Sequence, residues 1–194
     1  MKLDTERVGV EFTLEREGVH ERFETRFLAQ YVVGVVMAAR ILANHFNISS
    51  ALVKQKVARI APVEHRLFPI KTPNGVLVID DAYNGNPDGV REALDVLRAF
   101  EGRRRIVITP GLVEMGERME EVHQEIARQL VSSAEKVVLI QTPASQIIKK
   151  ELDRSGFQDV SLHKRAEDAH AEVREILKKD DVVLFQNDVA ENYQ

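Results

Sequence analysis

A short polar run that directly follows a predicted strand at 76–79 is the richest candidate for chemistry. Asp80 and Asp81 come first, Tyr83 follows, and the sequence NGNP occupies 84–87. Ligands of open parallel sheets bind beyond the carboxyl ends of strands, where a carboxylate can accept hydrogen bonds from both vicinal hydroxyls of a ribose. Asp, Asn and Gly are also common turn residues at strand-to-helix junctions. The local pattern leaves both interpretations open, a sugar-binding carboxylate and an ordinary turn.

Other predicted strand ends carry further polar residues. Thr109 and Gln141 each close an apolar run, and Gln186, Asn187 and Asp188 follow the last one. Glu114 lies in the loop after the strand that ends at Thr109. This glutamate is a candidate site residue, although an acidic residue close to a helix start is the simpler interpretation.

Several kinds of site are missing from the sequence. It contains neither G-x-x-x-x-G-K-[ST] nor G-x-G-x-x-G, so the chain has no recognisable phosphate loop of its own. No serine sits in a nucleophile elbow, cysteine is absent, and the histidines lack paired metal-ligand spacing. We therefore assign no catalytic residue and no metal ligand to this chain. The run Arg103, Arg104, Arg105 fits a solvated sheet edge or, alternatively, a phosphate patch.

Composition narrows the class of protein. The 194 residues are 44% hydrophobic and 30% charged with a net charge of −4, which predicts a soluble globular chain and argues against a broadly basic nucleic-acid binder. We see no secretion leader at the N-terminus. The apolar stretch 28–46 is interrupted by Gln30, Arg40 and Asn44, so it predicts a buried helix and no membrane insertion.

The second part of the chain has the regular alternation of an α/β domain. Short β-branched runs alternate with amphipathic helical segments, which predicts right-handed crossovers and a Rossmann-like, mainly parallel sheet with helices on both faces. Asn86 and Pro87 are typical of the cap and first turn of the first of these helices. The predicted strands are 76–79, 106–109, 137–140, 160–162 and 182–185, and the predicted helices are 87–100, 118–131, 144–155 and 166–178.

The first part predicts a partial α+β segment. Alternating apolar residues from Val8 to Leu14, a turn at Glu17 and Gly18, and a return strand within 21–27 predict a hairpin. Two helices follow, at 28–46 and about 50–60. The first is apolar nearly all round, and the rest of this part is too small to enclose it. Either another chain covers this helix or the chain is the tail of something larger.

Four strings of residues, in this order, resemble the Mur ligases, the ATP-dependent amide-forming enzymes of peptidoglycan synthesis. They are EHRL at 64–67, the strand with DDAYNGNP ending at 87, PGLVEMGE at 110–117 followed by His123, and DVVLFQND at 181–188. The second string, with the first before it, is fairly specific to the family. Together the four cover almost all of the second part, and the similarity is greatest to the branch that adds D-Ala-D-Ala to a UDP-muramoyl-tripeptide.

The resemblance implies the architecture and the reaction. Residues 1–64 would be the C-terminal remnant of a central ATPase domain and 65–194 the C-terminal Rossmann-like domain of a longer, cytoplasmic enzyme. In the family, ATP phosphorylates a substrate carboxylate and an amine attacks the acyl phosphate to form an amide. The implied partners are the UDP-muramoyl-peptide, the dipeptide and the missing domains, with self-association through helix 28–46 as the alternative. The phosphate loop and the Mg²⁺ ligands would lie outside this chain, which we expect to be inactive alone.

The resemblance also assigns residues by position. Arg66 would contact the nucleotide and Asp81 would bind its ribose, with Tyr83 and Asn84 near the adenosine or phosphate. The dipeptide pocket would be bordered by residues that belong to the loops and strand ends already described: Asn86, Glu114, Asn187 and Asp188. One departure is clear, because the helix that in the family opens with asparagines near adenine begins here with Gln30 and Tyr31.

Two alternative functions remain at this stage. The folylpolyglutamate synthase branch shares the domain and the acyl-phosphate chemistry, but it tends to have His where this chain has Tyr83. A non-catalytic Rossmann-like binding module, whose exposed apolar helix recruits a partner, is the second alternative.

Overall fold

The computed structural model describes residues 1–83 and 85–187. The chain divides into two compact units, Met1–Val63 and Glu64–Gln194. None of the helices in the described ranges combines the length and apolar composition needed to cross a lipid bilayer.

The first unit consists of a small antiparallel sheet and two helices. The strands β1 (Lys2–Asp4), β2 (Gly9–Arg16) and β3 (Val19–Glu24) lie in the order β1-β2-β3. The predicted hairpin is confirmed, and both residues of its turn, Glu17 and Gly18, have the positive φ that two-residue hairpin turns favour. The strand β1 was not predicted, since its three residues are too few to show an alternation.

Helices α1 (Tyr31–His45) and α2 (Ser50–Val57) complete the first unit. Ser49 caps α2, because its Oγ accepts a hydrogen bond from the Leu52 N–H at 3.3 Å. Side chains of both helices and of β2 and β3 form one core, which includes Phe12, Phe23, Val32, Val36 and Val53. Val35 and Leu42 of α1, and Phe46 directly after it, are more than half exposed, so this unit does not fully cover its most apolar helix.

The second unit is an α/β domain with a sheet of six strands in the order β4-β5-β9-β6-β7-β8. Only β4 and β5 pair antiparallel, which confirms the mainly parallel sheet. The strand β4 was not predicted because it contains Pro69 and runs along the sheet edge. The strands are β4 (Phe68–Lys71), β5 (Leu77–Asp81), β6 (Arg105–Thr109), β7 (Lys136–Ile140), β8 (Val160–His163) and β9 (Val182–Gln186).

Helices cover both faces of this sheet. The helices α3 (Pro87–Arg98), α4 (Met119–Ser133) and α5 (Pro143–Arg154) pack side by side, and α6 (Ala166–Ile176) brings the chain back from β8 to β9. Because parallel crossovers are right-handed, this reversal of direction puts α6 on the opposite face. Ala169 and Val173 of α6 pack there against Ile106, Val138 and Val183 of the sheet.

The sheet topology decides which loops meet. The last strand β9 lies between β5 and β6, so the carboxyl ends of β5, β9 and β6 are adjacent at one edge of the sheet. In sequence these strand ends are far apart, at Asp81, Thr109 and Gln186. The fold therefore gathers three of the polar strand ends identified in the sequence.

Candidate functional site at the carboxyl ends of β5, β9 and β6

Asp81, at the end of β5, is a half-buried carboxylate. Its Oδ1 accepts a hydrogen bond from the Leu67 N–H at 3.1 Å. Burial raises the pKa of Asp81 to about 6, although this hydrogen bond, the positive charge of Arg66 and the Gln186 amide all favour the charged form. The Nε2 of Gln186 has no partner of full hydrogen-bond geometry among the described residues. Asp81 is thus both an anchor for the backbone at Leu67 and a titratable group at the strand end.

Asp80, the neighbouring carboxylate, contacts a different part of the same segment. Its Oδ2 lies 2.8 Å from Nδ1 of His65, and its Oδ1 accepts a hydrogen bond from the Ala82 N–H at 3.1 Å. Tyr83 N–H donates in turn to the His65 carbonyl at 3.4 Å. The two adjacent carboxylates therefore hold the chain on both sides of Arg66.

The backbone on both sides of Arg66 is strained. His65 and Leu67 have φ values of 60° and 48°, in the left-handed region that residues with a Cβ rarely adopt. Each such residue costs on the order of 1 kcal/mol and persists only where the surroundings hold it. Here the restraints are the two carboxylates and the side chain of Leu67, which is buried at 6% exposure.

Arg66 lies over the ring of Tyr83, with its guanidinium carbon 4.4 Å from the ring centroid. The distance is well within the range of cation–π contact. The Tyr83 ring is 58% exposed. The pair forms a flat cationic surface beside Asp81, and the positive charge of Arg66 partly offsets the rise in the Asp81 pKa that burial causes. An aromatic ring, a guanidinium and a carboxylate at one strand end offer stacking, charge and hydroxyl-accepting groups together.

Asn187 ties together three loops from a buried position. Its Oδ1 accepts from the Gly85 N–H at 2.9 Å, its Nδ2 donates to the Gly111 carbonyl at 2.5 Å, and its N–H donates to the Asp81 carbonyl at 3.0 Å. Only 3% of the residue is exposed. The side chain of this predicted substrate-binding residue is therefore committed to holding the backbone of the site.

Asn86 also has a local partner. Its Oδ1 accepts a hydrogen bond from the Gly89 N–H at 2.8 Å and caps α3, as the sequence predicted. Gly85, just before it, leaves little space, because a Cβ there would lie 3.0 Å from Nε2 of Gln186 and from a methyl group of Leu112. The loop before α3 thus packs closely on β9 and on the loop that follows β6.

The loop after β6 is fixed by a buried histidine. Nε2 of His123 accepts from the Leu112 N–H at 2.9 Å, and Nδ1 lies 2.6 Å from the Met119 carbonyl. Burial lowers the pKa of His123, so a neutral ring donates from Nδ1 and accepts at Nε2. Gly111, with φ of 84°, lies against this ring. The histidine is structural and holds the loop that leads to Glu114.

The remaining predicted site residues have different positions. Glu114 is exposed and has a left-handed φ of 60°. Asn84 and Asp188 lie outside the described residues. Sequence reasoning gave His65 no role of its own, and it marked Asp80 and Gln186 as polar strand-end residues without predicting their contacts with this site. Asp80 and His65 belong to the strings that carry the resemblance. Each directly precedes a predicted site residue, Asp81 or Arg66, and this adjacency could have identified them from the sequence.

The arginine run lies away from this site, at the amino end of β6. Arg104 pairs with Asp181 at 2.5 Å and Arg105 pairs with Glu135 at 2.5 Å. Arg103 donates to the backbone carbonyls of Asp180, Gly75 and Asp181. These arginines stabilise the amino end of the central strands, and the fold gives them protein partners in place of a phosphate group.

Within residues 1–83 and 85–187, no three Asp, Glu, His or Cys side chains converge as ligands for a metal ion. We assign no residue of the described chain to Mg²⁺.

The profile of the family described as "Mur ligase, glutamate ligase domain" matches residues 65–186. The chain therefore belongs to the Mur ligase family. One curated relative, the UDP-N-acetylmuramoyl-tripeptide–D-alanyl-D-alanine ligase of Bacillus subtilis, is 26% identical over 92% of this chain and 39% of its own length. The corresponding enzyme of Haemophilus influenzae is 30% identical over 62% of this chain and 26% of its own length.

Solved structures show the same fold. The MurF ligase of Thermotoga maritima, crystallised with ADP, superposes with a TM-score of 0.76 at 21% identity, over 93% of this chain and 40% of that chain. MurC of the same organism gives a TM-score of 0.74 at 19% identity, over 96% of this chain and 41% of that chain. This chain thus spans about two fifths or less of the length of these relatives.

Proposed function

We propose that this chain is the C-terminal portion of an ATP-dependent amide ligase of peptidoglycan precursor synthesis, which adds D-Ala-D-Ala to a UDP-muramoyl-tripeptide through an acyl phosphate. Membership of the Mur ligase family supports the reaction class. Curated relatives named UDP-N-acetylmuramoyl-tripeptide–D-alanyl-D-alanine ligase support D-Ala-D-Ala as the incoming amine. Relatives named as D-glutamate ligases make glutamate the competing amine. In this proposal the enzyme acts in the cytoplasm and serves cell-wall growth, cell shape and division.

The observation that carries the proposal is the group formed by Arg66, Tyr83 and Asp81. A guanidinium stacked on an exposed ring, beside a carboxylate at a strand end, suits a nucleotide whose sugar hydroxyls reach Asp81. Asn84 follows Tyr83 in the sequence, and we propose that it lies near the adenosine or phosphate. ADP in the Thermotoga maritima relative is consistent with a nucleotide in this family.

We place the dipeptide pocket beside the loops that carry Asn86, Glu114, Asn187 and Asp188. The side chains of Asn86 and Asn187 already bind backbone groups, so they would shape this pocket through the loops that they hold. Glu114 is an exposed carboxylate, and in this proposal it meets the ammonium group of the incoming amine.

We place residues 1–64 in the central ATPase domain of the complete enzyme, with 65–194 as its C-terminal domain. The uncovered apolar face of α1 supports this division, because Val35, Leu42 and Phe46 lack cover within their own unit. The Mg²⁺ ligands and the phosphate loop belong to the missing part in this proposal, so the isolated chain should release no phosphate from ATP.

A chimera tests the function. The whole chain replaces the 182 matching residues of the Bacillus subtilis relative, and ligation is assayed with D-Ala-D-Ala and with D-glutamate. Ligation of D-Ala-D-Ala that is lost in Arg66→Ala supports the proposal, with the exposed Arg91→Ala as control. Ligation of D-glutamate alone would overturn the proposed amine. Phosphate release by the isolated 194-residue chain that Arg66→Ala abolishes would overturn the assignment as an incomplete portion.

A further inference from the structure

The segment 64–67 begins the second unit, immediately after the boundary at Val63. Arg66 is in the middle of this segment, and its neighbours are held by different carboxylates of β5. Asp80 holds His65 through a 2.8 Å contact between Oδ2 and Nδ1, and Asp81 accepts the Leu67 N–H at 3.1 Å.

Asp80 is itself oriented by the fold. Its second oxygen accepts the Ala82 N–H at 3.1 Å, and its side chain is 17% exposed, against 56% for His65. The carboxylate is therefore the fixed member of the pair, and the histidine is the member that it restrains.

The restraint acts on unfavourable backbone geometry. His65 and Leu67 both have left-handed φ values, on the two sides of Arg66. Strained residues of this kind cluster at ligand-binding segments, where the surrounding contacts over-determine them. Loss of the contact to Asp80 would remove one restraint on this strained backbone, which puts Arg66 4.4 Å from the Tyr83 ring centroid.

We propose that His65 and Asp80 are positioning residues for nucleotide binding: their contact holds the backbone of 65–67 so that the Arg66 guanidinium lies over Tyr83 beside Asp81. The proposal rests on the function proposed above, since it assigns the nucleotide to Arg66. A contact that only stabilises the fold is the competing explanation, and the two differ in what happens to Arg66.

Three variants separate these explanations. His65→Ala removes the contact with Asp80. Asp80→Ala removes the acceptor for both His65 and the Ala82 N–H. His65→Asn puts an amide nitrogen near the position of Nδ1 and tolerates left-handed φ, so it is the rescue variant. His20→Ala is the matched control, because His20 is an exposed histidine of the first unit that lies 3.9 Å from Glu15.

Two readouts are measured on the 194-residue chain. The first is the NMR shift of the Arg66 side-chain protons, which the Tyr83 ring current displaces while the two side chains are stacked. The second is the dissociation constant for ADP, followed from chemical-shift changes on titration. Urea unfolding of every variant checks that it is folded under the conditions used.

We expect His65→Ala and Asp80→Ala to lose the ring-current shift of Arg66 and to weaken ADP binding about tenfold, the cost of roughly one misplaced charge-assisted hydrogen bond. His65→Asn should restore both, and His20→Ala should change neither. Folded variants that keep the Arg66 shift and the ADP affinity would overturn the proposal. If the wild-type chain binds no ADP while His65→Ala still loses the shift, the positioning of Arg66 is supported, and ADP binding is then measured on the chimera, where an affinity that Arg66→Ala leaves unchanged would overturn the proposed function.

Discussion

The two ends of the six-stranded sheet use similar charged residues for different purposes. At the amino end, Arg104 and Asp181 satisfy each other: two guanidinium nitrogens reach the carboxylate, at 3.1 and 2.5 Å. At the carboxyl end, Asp81 is satisfied mainly by a backbone N–H, and Arg66 stacks on an exposed ring. The comparison teaches that paired charges stabilise the amino ends of the central strands, whereas at the carboxyl ends a carboxylate is held mainly by a backbone N–H and a guanidinium by an aromatic ring.

The pKa values of the two carboxylates express the same difference. Burial opposes ionisation of Asp181, but hydrogen bonds from Arg104 and from the Lys178 N–H hold its pKa below the usual range. Burial dominates at Asp81 and raises its pKa to about 6. A carboxylate that its surroundings do not fully stabilise is typical of functional positions.

The largest expected effect comes from the amino end. Asp181 is only 3% exposed, and Asp181→Ala removes both the partner of Arg104 and the acceptor for the Lys178 N–H. We expect the free energy of unfolding to fall by about 2–4 kcal/mol. This is less than the loss expected for a fully buried ion pair, because Arg104 is partly exposed. Urea unfolding measures this loss. The control is Asp88→Ala, whose ion pair is exposed and should change stability by less than about 0.5 kcal/mol.

Asp81→Asn should have the opposite sign. The folded-state pKa of about 6 lies above the usual 3.8, so at pH 7 the ionised carboxylate costs stability that it does not cost below pH 4. The variant should be more stable than wild type by about 1–3 kcal/mol at pH 7. The difference in the free energy of unfolding between Asp81→Asn and wild type should grow as pH rises from 4 to 6, and unfolding measured at a series of pH values tests this. A variant that is less stable at pH 7 would show that burial does not control this carboxylate.

Asn86→Ala sharpens the comparison at the carboxyl end, where a predicted substrate-binding residue caps a helix. Loss of the hydrogen bond from the Gly89 N–H should lower stability by about 1 kcal/mol. Asn86→Ser should restore most of it, as a second capping residue. If both variants keep full stability, the role of Asn86 lies outside the helix cap.

The smallest effect is expected at the sheet edge formed by β8. Glu172 accepts hydrogen bonds from Ser161 and His163 and pairs with Lys136 at 2.9 Å. Partial burial opposes ionisation, but these partners lower the pKa of Glu172 to about 2. After solvent screening, Glu172→Gln should lose about 0.5–1 kcal/mol at pH 7. Because the folded pKa is lowered, this difference should shrink as pH falls from about 4.5 toward 2, in unfolding followed across that range.

Much of the fold could be predicted because the local signals agreed. The β-branched runs at β6, β7 and β9, and the cap and apolar face of α3, each specify their element without help from distant residues. The strand β4 escaped prediction because Pro69 and edge position weaken its pattern. The helix α1 begins at Tyr31 and not at residue 28, and the apolar Leu28 and Ala29 are buried in the segment before it, so an apolar run alone did not mark the helix start.

The candidate site was predictable in its strand ends and less so in its side-chain partners. The string DDAYNGNP marked Asp81 and Tyr83. That Asn187 would bind Gly85 and Gly111 depends on segments 102 and 76 residues apart in the chain. That Asp80 would bind His65 depends on a segment 15 residues earlier that is neither helix nor strand. Periodicity carries no information about such long-range pairs.

The amino-acid sequence by itself determined the alternation of strands and helices, the turn chemistry at their junctions and the family to which the strings belong. Only the tertiary structure decided that β9 would lie between β5 and β6 and bring Asn187 against two other loops. The physical reason is that hydrophobic patterning and capping act over a few residues, whereas the order of strands is set by crossovers that pack helices on both faces of one sheet.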